Sequence, residues 1–298
     1  MTAINGTTKL AGVIGWPVNH SLSPAMHNAV YEDLGLNWAY LPLPVADEIG
    51  LRRVVAAIRS LPFVGFNITM PYKAAMLDLC DEVAMAAKMA GAVNAVHCVD
   101  GRLIGYNTDG RGLVESLQVD AGLTLDGKRV VLLGAGGAAG AALVAFVLGK
   151  AADVVVVNRD VPRAEELLAR IEPHLRATRI EAVTYDIAER AVRSADLIVN
   201  ATSLGMKPGD PSPIPEAWMH DGQVVFDMVY GVHEVTALVR EARSAGARAV
   251  DGVGMLVSQG AIAVDIWNDS KQVPTSRETM RAAVEQQLRH RTTGALDQ

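Results

Sequence analysis

The run Gly134-Ala135-Gly136-Gly137-Ala138-Ala139 follows an apolar stretch, Val130 to Leu133, and precedes a stretch rich in alanine. That order fits strand, turn and helix with GxGxxG/A spacing. The glycines let the main chain approach a pyrophosphate, and the helix N-terminus supplies free N–H groups and the positive end of its dipole. Glycine-rich turns also arise for packing alone, but the flanking strand and helix make a dinucleotide the expected ligand of Gly134 to Ala138. At the end of the next apolar run, VVVVN (154–158), an acid would bond a ribose 2′-hydroxyl and an arginine would receive a 2′-phosphate. Asn158 and Arg159 stand there, with Arg163 close behind, so two guanidiniums can clamp a phosphate and NADP is the expected cofactor. Asp160 would repel that phosphate if turned inward, which keeps NAD open.

A second polar group lies in the first hundred or so positions. HSLSP (20–24) spaces Ser21 and Ser23 two apart. In an extended chain both hydroxyls face one side and can donate to a carboxylate; equally, Ser23 before Pro24 fits a helix cap. In GFNITMPYK (65–73), Asn67 and Thr69 share one face of a strand's end and Lys73 follows a proline. Such strand ends are where open α/β sheets bind ligands. Partial burial or a neighbouring cation would suit Lys73 to acid–base work on a hydroxyl or ketone; the alternative is a surface lysine at a helix start. GAVNAV (91–96) and GYNTDG (105–110) add Asn94, Asn107 and Asp109. Alone, Asn107, Asp109 and Gly110 read as turn residues. Together with the serines, Asn67, Thr69 and Lys73, they form the set a polyhydroxylated anion requires: neutral donors and acceptors around one Lys–Asp pair. His20, His27 and His97 lack acidic partners at ligand spacing, so no metal is expected.

The elements that must carry these residues alternate along the chain. LAGVIG (10–15), WAYLPLPV (38–45) and FVGFNIT (63–69) read as strands, separated by helical segments that include SPAMHNAVYEDLG and DEIGLRRVVAAIRSL. KAAMLDLCDEVAMAAKMAG continues the alternation. After the glycine-rich turn, apolar runs at 154–158, 196–202, 223–230 and 247–252 fit a parallel sheet covered on both faces. The expected architecture is therefore two α/β domains. One is an N-terminal substrate domain (1–112) to which a closing segment (254–298) returns, its apolar helix at 254–267 followed by an amphipathic helix and a frayed end. The other is a Rossmann-like, doubly wound dinucleotide domain at 113–253.

Composition narrows the class. Half of the 298 residues are apolar and a fifth are charged, as in folded globular proteins. A net charge of -6 without a basic stripe argues against nucleic acid. Two cysteines, Cys80 and Cys98, form no disulfide framework, and no apolar run spans a membrane. A cytoplasmic location, with neither export nor membrane insertion, is expected.

These residues resemble the shikimate dehydrogenase family from about Leu10 to Trp267. Six separated motifs stand in that family's order: HSLSP, GFNITMPYK, GAVNA, GYNTDG, GAGGAA and DGVGMLVSQGA. The resemblance implies NADPH-dependent reduction of 3-dehydroshikimate to shikimate, a step of aromatic amino acid and chorismate biosynthesis, with Lys73 and Asp109 as the catalytic pair. It implies that Ser21, Ser23, Asn67, Thr69, Asn94, Tyr230 and Gln259 line the substrate pocket. Cofactor contacts would be Gly134, Ala135, Gly136, Gly137, Ala138, Asn158, Arg159, Arg163, Met228 and Gly252. Two positions depart from the family's usual wording. Asp160 replaces the threonine of Asn-Arg-Thr, and Tyr230-Gly231-Val232 replaces Tyr-Asn-Pro. The alternatives are a quinate or dual quinate/shikimate dehydrogenase using NAD and, in another class, a non-catalytic NADP-binding regulator. A homodimer is common in the resembled family, although the residues do not set the oligomeric state.

Overall fold

The computed structural model describes residues 4–175, 177–230, 235–269 and 274–294. Along the chain the elements are β1 (Lys9–Gly15), α1 (Ser23–Asp33), β2 (Trp38–Pro44), α2 (Glu48–Ile58), β3 (Phe63–Ile68), β4 (Glu82–Val83), α3 (Met85–Ala90), β5 (Ala95–Val99) and β6 (Arg102–Tyr106). There follow α4 (Asp109–Ala121), β7 (Arg129–Leu133), α5 (Gly137–Leu148), β8 (Asp153–Val157), α6 (Val161–Ile171), β9 (Arg179–Val183) and α7 (Glu189–Ser194). The chain closes with β10 (Leu197–Asn200), β11 (Val224–Asp227), α8 (Ala237–Ser244), β12 (Arg248–Val250), α9 (Val253–Trp267) and α10 (Arg277–Gly294). Two compact units result, Met1–Thr108 with Val257–Gln298, and Asp109–Leu256.

The first unit holds a six-stranded sheet in the order β2-β1-β3-β5-β6-β4. β1 pairs parallel with β2 and β3, whereas β3–β5 and β5–β6 are antiparallel, so the sheet is mixed. β1 is buried along most of its length, which accounts for its unbroken apolar run. Ile14, Phe66, Ile68, Val96 and Leu103 share one core cluster with Leu51, Val55 and Ile58 of α2. The Asp47 side chain starts α2 by accepting the Gly50 N–H at 2.7 Å. The β5–β6 hairpin departs from the simple strand–helix alternation read in the sequence. Its turn is Asp100-Gly101, both at positive φ (50° and 77°), the dipeptide that suits a tight hairpin twist.

The second unit's six strands run β12-β11-β10-β7-β8-β9, all parallel. Numbered from β7, this is the doubly wound order, and the winding reverses between β7 and β10. Strand β9, RIEAV, lies at the edge, and only partly buried alternate positions reveal it, so it has no apolar run to read. Asp109 and Gly110 do not form a turn as their composition suggests. They open α4, and Gly110 is required because a Cβ there would lie 2.6 Å from the Ala141 carbonyl of α5. The two helices approach more closely than any side chain at that position permits. Among the described residues no helix is long and apolar enough to cross a membrane.

Candidate active site

In the first unit, polar side chains from separate elements converge on the end of β3. Asn67 is 6% exposed, and its amide is fixed from both sides. Nδ2 donates to the Asn94 carbonyl at 3.1 Å, which turns Oδ1 toward the Tyr40 hydroxyl, its donor at 2.7 Å. Tyr40 also hydrogen-bonds the side chain of Ser23, and burial holds its phenol well above the ordinary 10, so it stays a protonated donor. Asn94, 2% exposed, accepts the Thr108 N–H on Oδ1 at 2.7 Å. Its Nδ2 donates to the Thr108 hydroxyl at 2.9 Å and reaches Gln259 Oε1, from α9, at 3.4 Å. The preceding residue, Val93, donates its N–H to the Lys73 carbonyl at 2.8 Å. Lys73 and Thr108 are therefore tied to successive residues of one segment, and Asp109 follows Thr108 directly in the chain.

The structure thus joins Ser23, Asn67, Asn94 and Gln259 in one hydrogen-bonded series. Thr69, half-buried, lies just past β3 and donates its N–H to the Ile14 carbonyl at 2.9 Å. Lys73 is half-buried ahead of a short 3-10 turn at Ala75–Leu79. Asp109, 5% exposed, and half-buried Tyr230 belong to the second unit. Two sequence expectations for the serines fail. Leu22 has helical angles (φ −91°, ψ −6°), so Ser21 and Ser23 do not share a face of an extended chain. Nor does Ser23 cap α1: it is the first helical residue, Leu22 holds the cap position, and Pro24 fits the first turn. Ser21 takes the local role instead, its Oγ accepting the Ser23 N–H at 3.2 Å. Tyr40 and Thr108 are site residues that the motifs do not single out. A tyrosine inside an otherwise apolar strand is the available signal, since a buried phenol must find a partner.

Beneath this series lies an aromatic stack. The ring of His27 stacks on Tyr40 with centroids 4.1 Å apart and on Trp267 at 5.6 Å. His27 is fully buried, its Nδ1 lies 3.4 Å from the Tyr31 hydroxyl, and burial lowers its pKa to about 3. A histidine held neutral when folded but titrating at about 6.5 when unfolded lets the unfolded state bind the extra proton. Stability is therefore lost as pH falls below about 6.5, by ~1.4 kcal/mol per unit until the folded group itself titrates. His27→Phe keeps the stacking surface without the titration. Urea midpoints measured from pH 7 to pH 5 are expected to fall less for this variant than for the wild type, and parallel slopes would contradict the assignment.

In the second unit the glycine-rich turn leaves β7 at Gly134 (φ +105°), and Gly136 takes the N-cap position of α5 without any side-chain cap. The first N–H groups of α5 lack a capping side chain, and a Cβ at Gly136 would meet nothing within 4 Å. Open space above uncapped helix N–H groups suits the pyrophosphate of a dinucleotide. Ala135 and Ala138 are half-buried and Gly137 is exposed, so main chain rather than side chain faces outward there. Past β8, Asn158 Nδ2 donates to the Asp160 carbonyl at 2.7 Å, and exposed Arg159 and Arg163 flank it. The carboxylate of Asp160 caps α6 by accepting the Arg163 N–H at 3.2 Å. One carboxylate oxygen is thus turned to the helix start, although a hydrogen bond to an N–H does not cancel the charge that faces a 2′-phosphate. Met228 and Gly252 also meet: a Cβ at Gly252 would lie 2.3 Å from the Met228 carbonyl. Of the Tyr230-Gly231-Val232 departure, Gly231 and Val232 lie outside the described residues, as does the end of the tail after 294. Among the described residues no group of three or more His, Cys, Asp or Glu side chains could hold a metal.

The shikimate dehydrogenase substrate-binding domain profile matches residues 13–96, and the shikimate/quinate 5-dehydrogenase profile matches residues 116–207. A shikimate dehydrogenase (NADP(+)) from Geobacter metallireducens is 42% identical over 273 residues, 91% of this chain and 95% of that protein. The chain belongs to the shikimate dehydrogenase family. Among solved members, shikimate 5-dehydrogenase from Thermus thermophilus, in complex with NADP(H) and shikimate, superposes with a TM-score of 0.83 at 34% identity. The match covers 94% of this chain and 99% of that one. The family also reaches other ligands: quinate dehydrogenase from Corynebacterium glutamicum, in complex with NAD, has a TM-score of 0.84 at 30% identity over 94% and 99% of the two chains.

Proposed function

We propose that this protein catalyses the reversible, NADP-dependent reduction of 3-dehydroshikimate to shikimate. The observation that carries the reading is the hydrogen-bonded series Ser23–Tyr40–Asn67–Asn94–Thr108–Gln259. It is a dense array of neutral donors and acceptors in a chain whose relatives are named for this activity. Residues 1–112 and 254–298 would serve the substrate and residues 113–253 the cofactor. When bound, the nicotinamide supplies hydride to the C3 ketone. Lys73 then gives a proton to the ketone oxygen as it becomes a hydroxyl, and in oxidation its free amine takes that proton back. Asp109 hydrogen-bonds the same region and orients the ring. Ser21, Ser23, Asn67, Thr69, Asn94, Tyr230 and Gln259 line the substrate. Gly134 to Ala138, Asn158, Arg159, Arg163, Met228 and Gly252 contact the cofactor, with the two arginines on the 2′-phosphate. A cytoplasmic location and a homodimer complete the reading.

The test is absorbance of the reduced nicotinamide with shikimate or quinate, each paired with NADP or NAD. Fast turnover with shikimate and NADP is expected, and a kcat/KM at least about tenfold lower with NAD, since an arginine clamp on a phosphate is charge-assisted. Faster oxidation of quinate with NAD would transfer the protein to the alternative ligand. Absence of oxidation in all four pairings would favour a non-catalytic binding protein.

A further inference from the structure

Asp227 ends β11 completely buried, and the proposed chemistry makes no use of it. Its carboxylate is shared three ways. Oδ1 accepts from Asn200 Nδ2 at 2.9 Å and from the Val229 N–H at 3.0 Å, while Oδ2 accepts from the Thr236 hydroxyl at 2.6 Å. Asn200 passes the order on. Its Oδ1 receives the N–H and hydroxyl of Thr202 at 3.0 and 2.7 Å, and its Nδ2 also reaches the Leu204 carbonyl at 3.1 Å. Its own carbonyl accepts the Met228 N–H at 3.0 Å. The glycine-rich turn rests on this layer, because a Cβ at Gly134 would lie 3.2 Å from the Ala201 carbonyl and from Thr202 Cγ2. One carboxylate and one amide therefore fix the carboxyl ends of β10 and β11, beside the β7/β10 reversal where doubly wound sheets receive nucleotides.

We infer that Asp227 is a positioning residue for the dinucleotide: ionised, it holds the loops after β10 and β11 in the arrangement on which the glycine-rich turn and Met228 meet the cofactor. This rests on the dinucleotide reading of that turn. The carboxylate is kept at some cost to the fold. Burial outweighs its hydrogen bonds and pushes its pKa up to about 6, and Asp251, the charged residue acting on it, pushes the same way. The folded state thus binds the proton more readily than the unfolded one, and stability falls as pH rises from about 4 through about 6. Asp227→Asn preserves shape and still offers Oδ1 to Asn200 and Val229, with its amide toward the Thr236 hydroxyl. The charge is lost, and the bond to Thr236 reverses, its hydroxyl now accepting where it donated.

The experiment is titration of the full chain with NADPH, followed by nicotinamide fluorescence, with thermal unfolding of each variant beside it. At pH 7.5 the Asp227→Asn protein is expected to bind NADPH about tenfold more weakly, as loss of charge-assisted hydrogen bonds implies. Its unfolding should remain cooperative, at a temperature no lower than that of the wild type. The ratio of variant to wild-type dissociation constants should return toward 1 below about pH 5, where the wild-type carboxylate is protonated. Titration of the cofactor's own phosphate cancels in that ratio. Equal affinities at pH 7.5, or a ratio that does not change with pH, would overturn the inference alone. Failure of the wild type to bind NADPH would remove the dinucleotide reading with it. Should Asp227→Asn not unfold cooperatively, Thr236→Val removes one donor and keeps the charge. About threefold weaker binding is then expected, and wild-type affinity in that variant would likewise overturn the inference.

Discussion

Lys73→Ala is expected to lower kcat for shikimate oxidation by ~10²–10⁴-fold, the span of one acid–base group, while KM moves by less than about threefold. The asymmetry follows from the role proposed for the side chain, since proton transfer matters only as the bond to hydrogen changes. The backbone at this position is held by the bond from the Val93 N–H to the Lys73 carbonyl, which alanine retains. A loss of unfolding free energy in urea of no more than about 1 kcal/mol is expected. Residual turnover should still be measurable, because holding two reactants in register supplies roughly 7–11 kcal/mol independently of the acid. Steady-state kinetics with shikimate and NADP, read beside the urea curve, check all three points. Turnover near the wild-type value would remove Lys73 from the chemistry.

Asn94→Ala is expected to damage fold and activity together. Thr108 is 1% exposed and its N–H is held by Asn94 Oδ1 at 2.7 Å, so truncation leaves a buried donor without that acceptor. Such a loss costs about 1–3 kcal/mol, and the missing partner of the Thr108 hydroxyl adds about 1 kcal/mol more. Asn94→Asp separates the two effects. Its carboxylate still accepts from the Thr108 N–H and hydroxyl, so much of the stability should return. The amide donor toward Gln259 Oε1 is gone, and an acceptor now faces an acceptor. Urea unfolding should therefore rank wild type, Asp and Ala in descending order, whereas kcat/KM for shikimate should fall about a hundredfold or more in both variants. A wild-type urea midpoint for Asn94→Ala would show that the clamp on Thr108 carries no weight.

Legibility in the sequence follows how locally each feature is encoded. The strand, glycine turn and helix at 129–148 lie contiguous in the chain, and the apolar runs of β7, β8, β10 and β11 report strands buried on both faces. Edge strand β9 and the two-residue β4 lack such runs, because half their surface meets solvent or too few residues pair. The β5–β6 hairpin is encoded in Asp100-Gly101, but its two strands read as apolar stretches ending in turn residues. In the candidate site, Ser23, Asn67, Asn94 and Gln259 can be named from their motifs. What joins them, Tyr40 from a neighbouring strand and the Thr108 clamp, depends on pairings between β1 and its neighbours that no spacing along the chain expresses. Serine before proline at a helix start usually caps it; here Leu22 turns helical early and the Ser23 hydroxyl is released to meet Tyr40.

The commitment of Asp160 to the start of α6 has a consequence for how cofactor preference can drift. A carboxylate bound to the Arg163 N–H secures the first turn of the helix that carries Arg163 itself, one of the two cations proposed for the phosphate. Exchanging Asp160 for an apolar residue to sweeten the electrostatics would fray the very platform from which that cation is presented. Serine or threonine are the replacements that keep the helix anchored while lifting the charge, so substitutions at this position are confined to a narrow corridor.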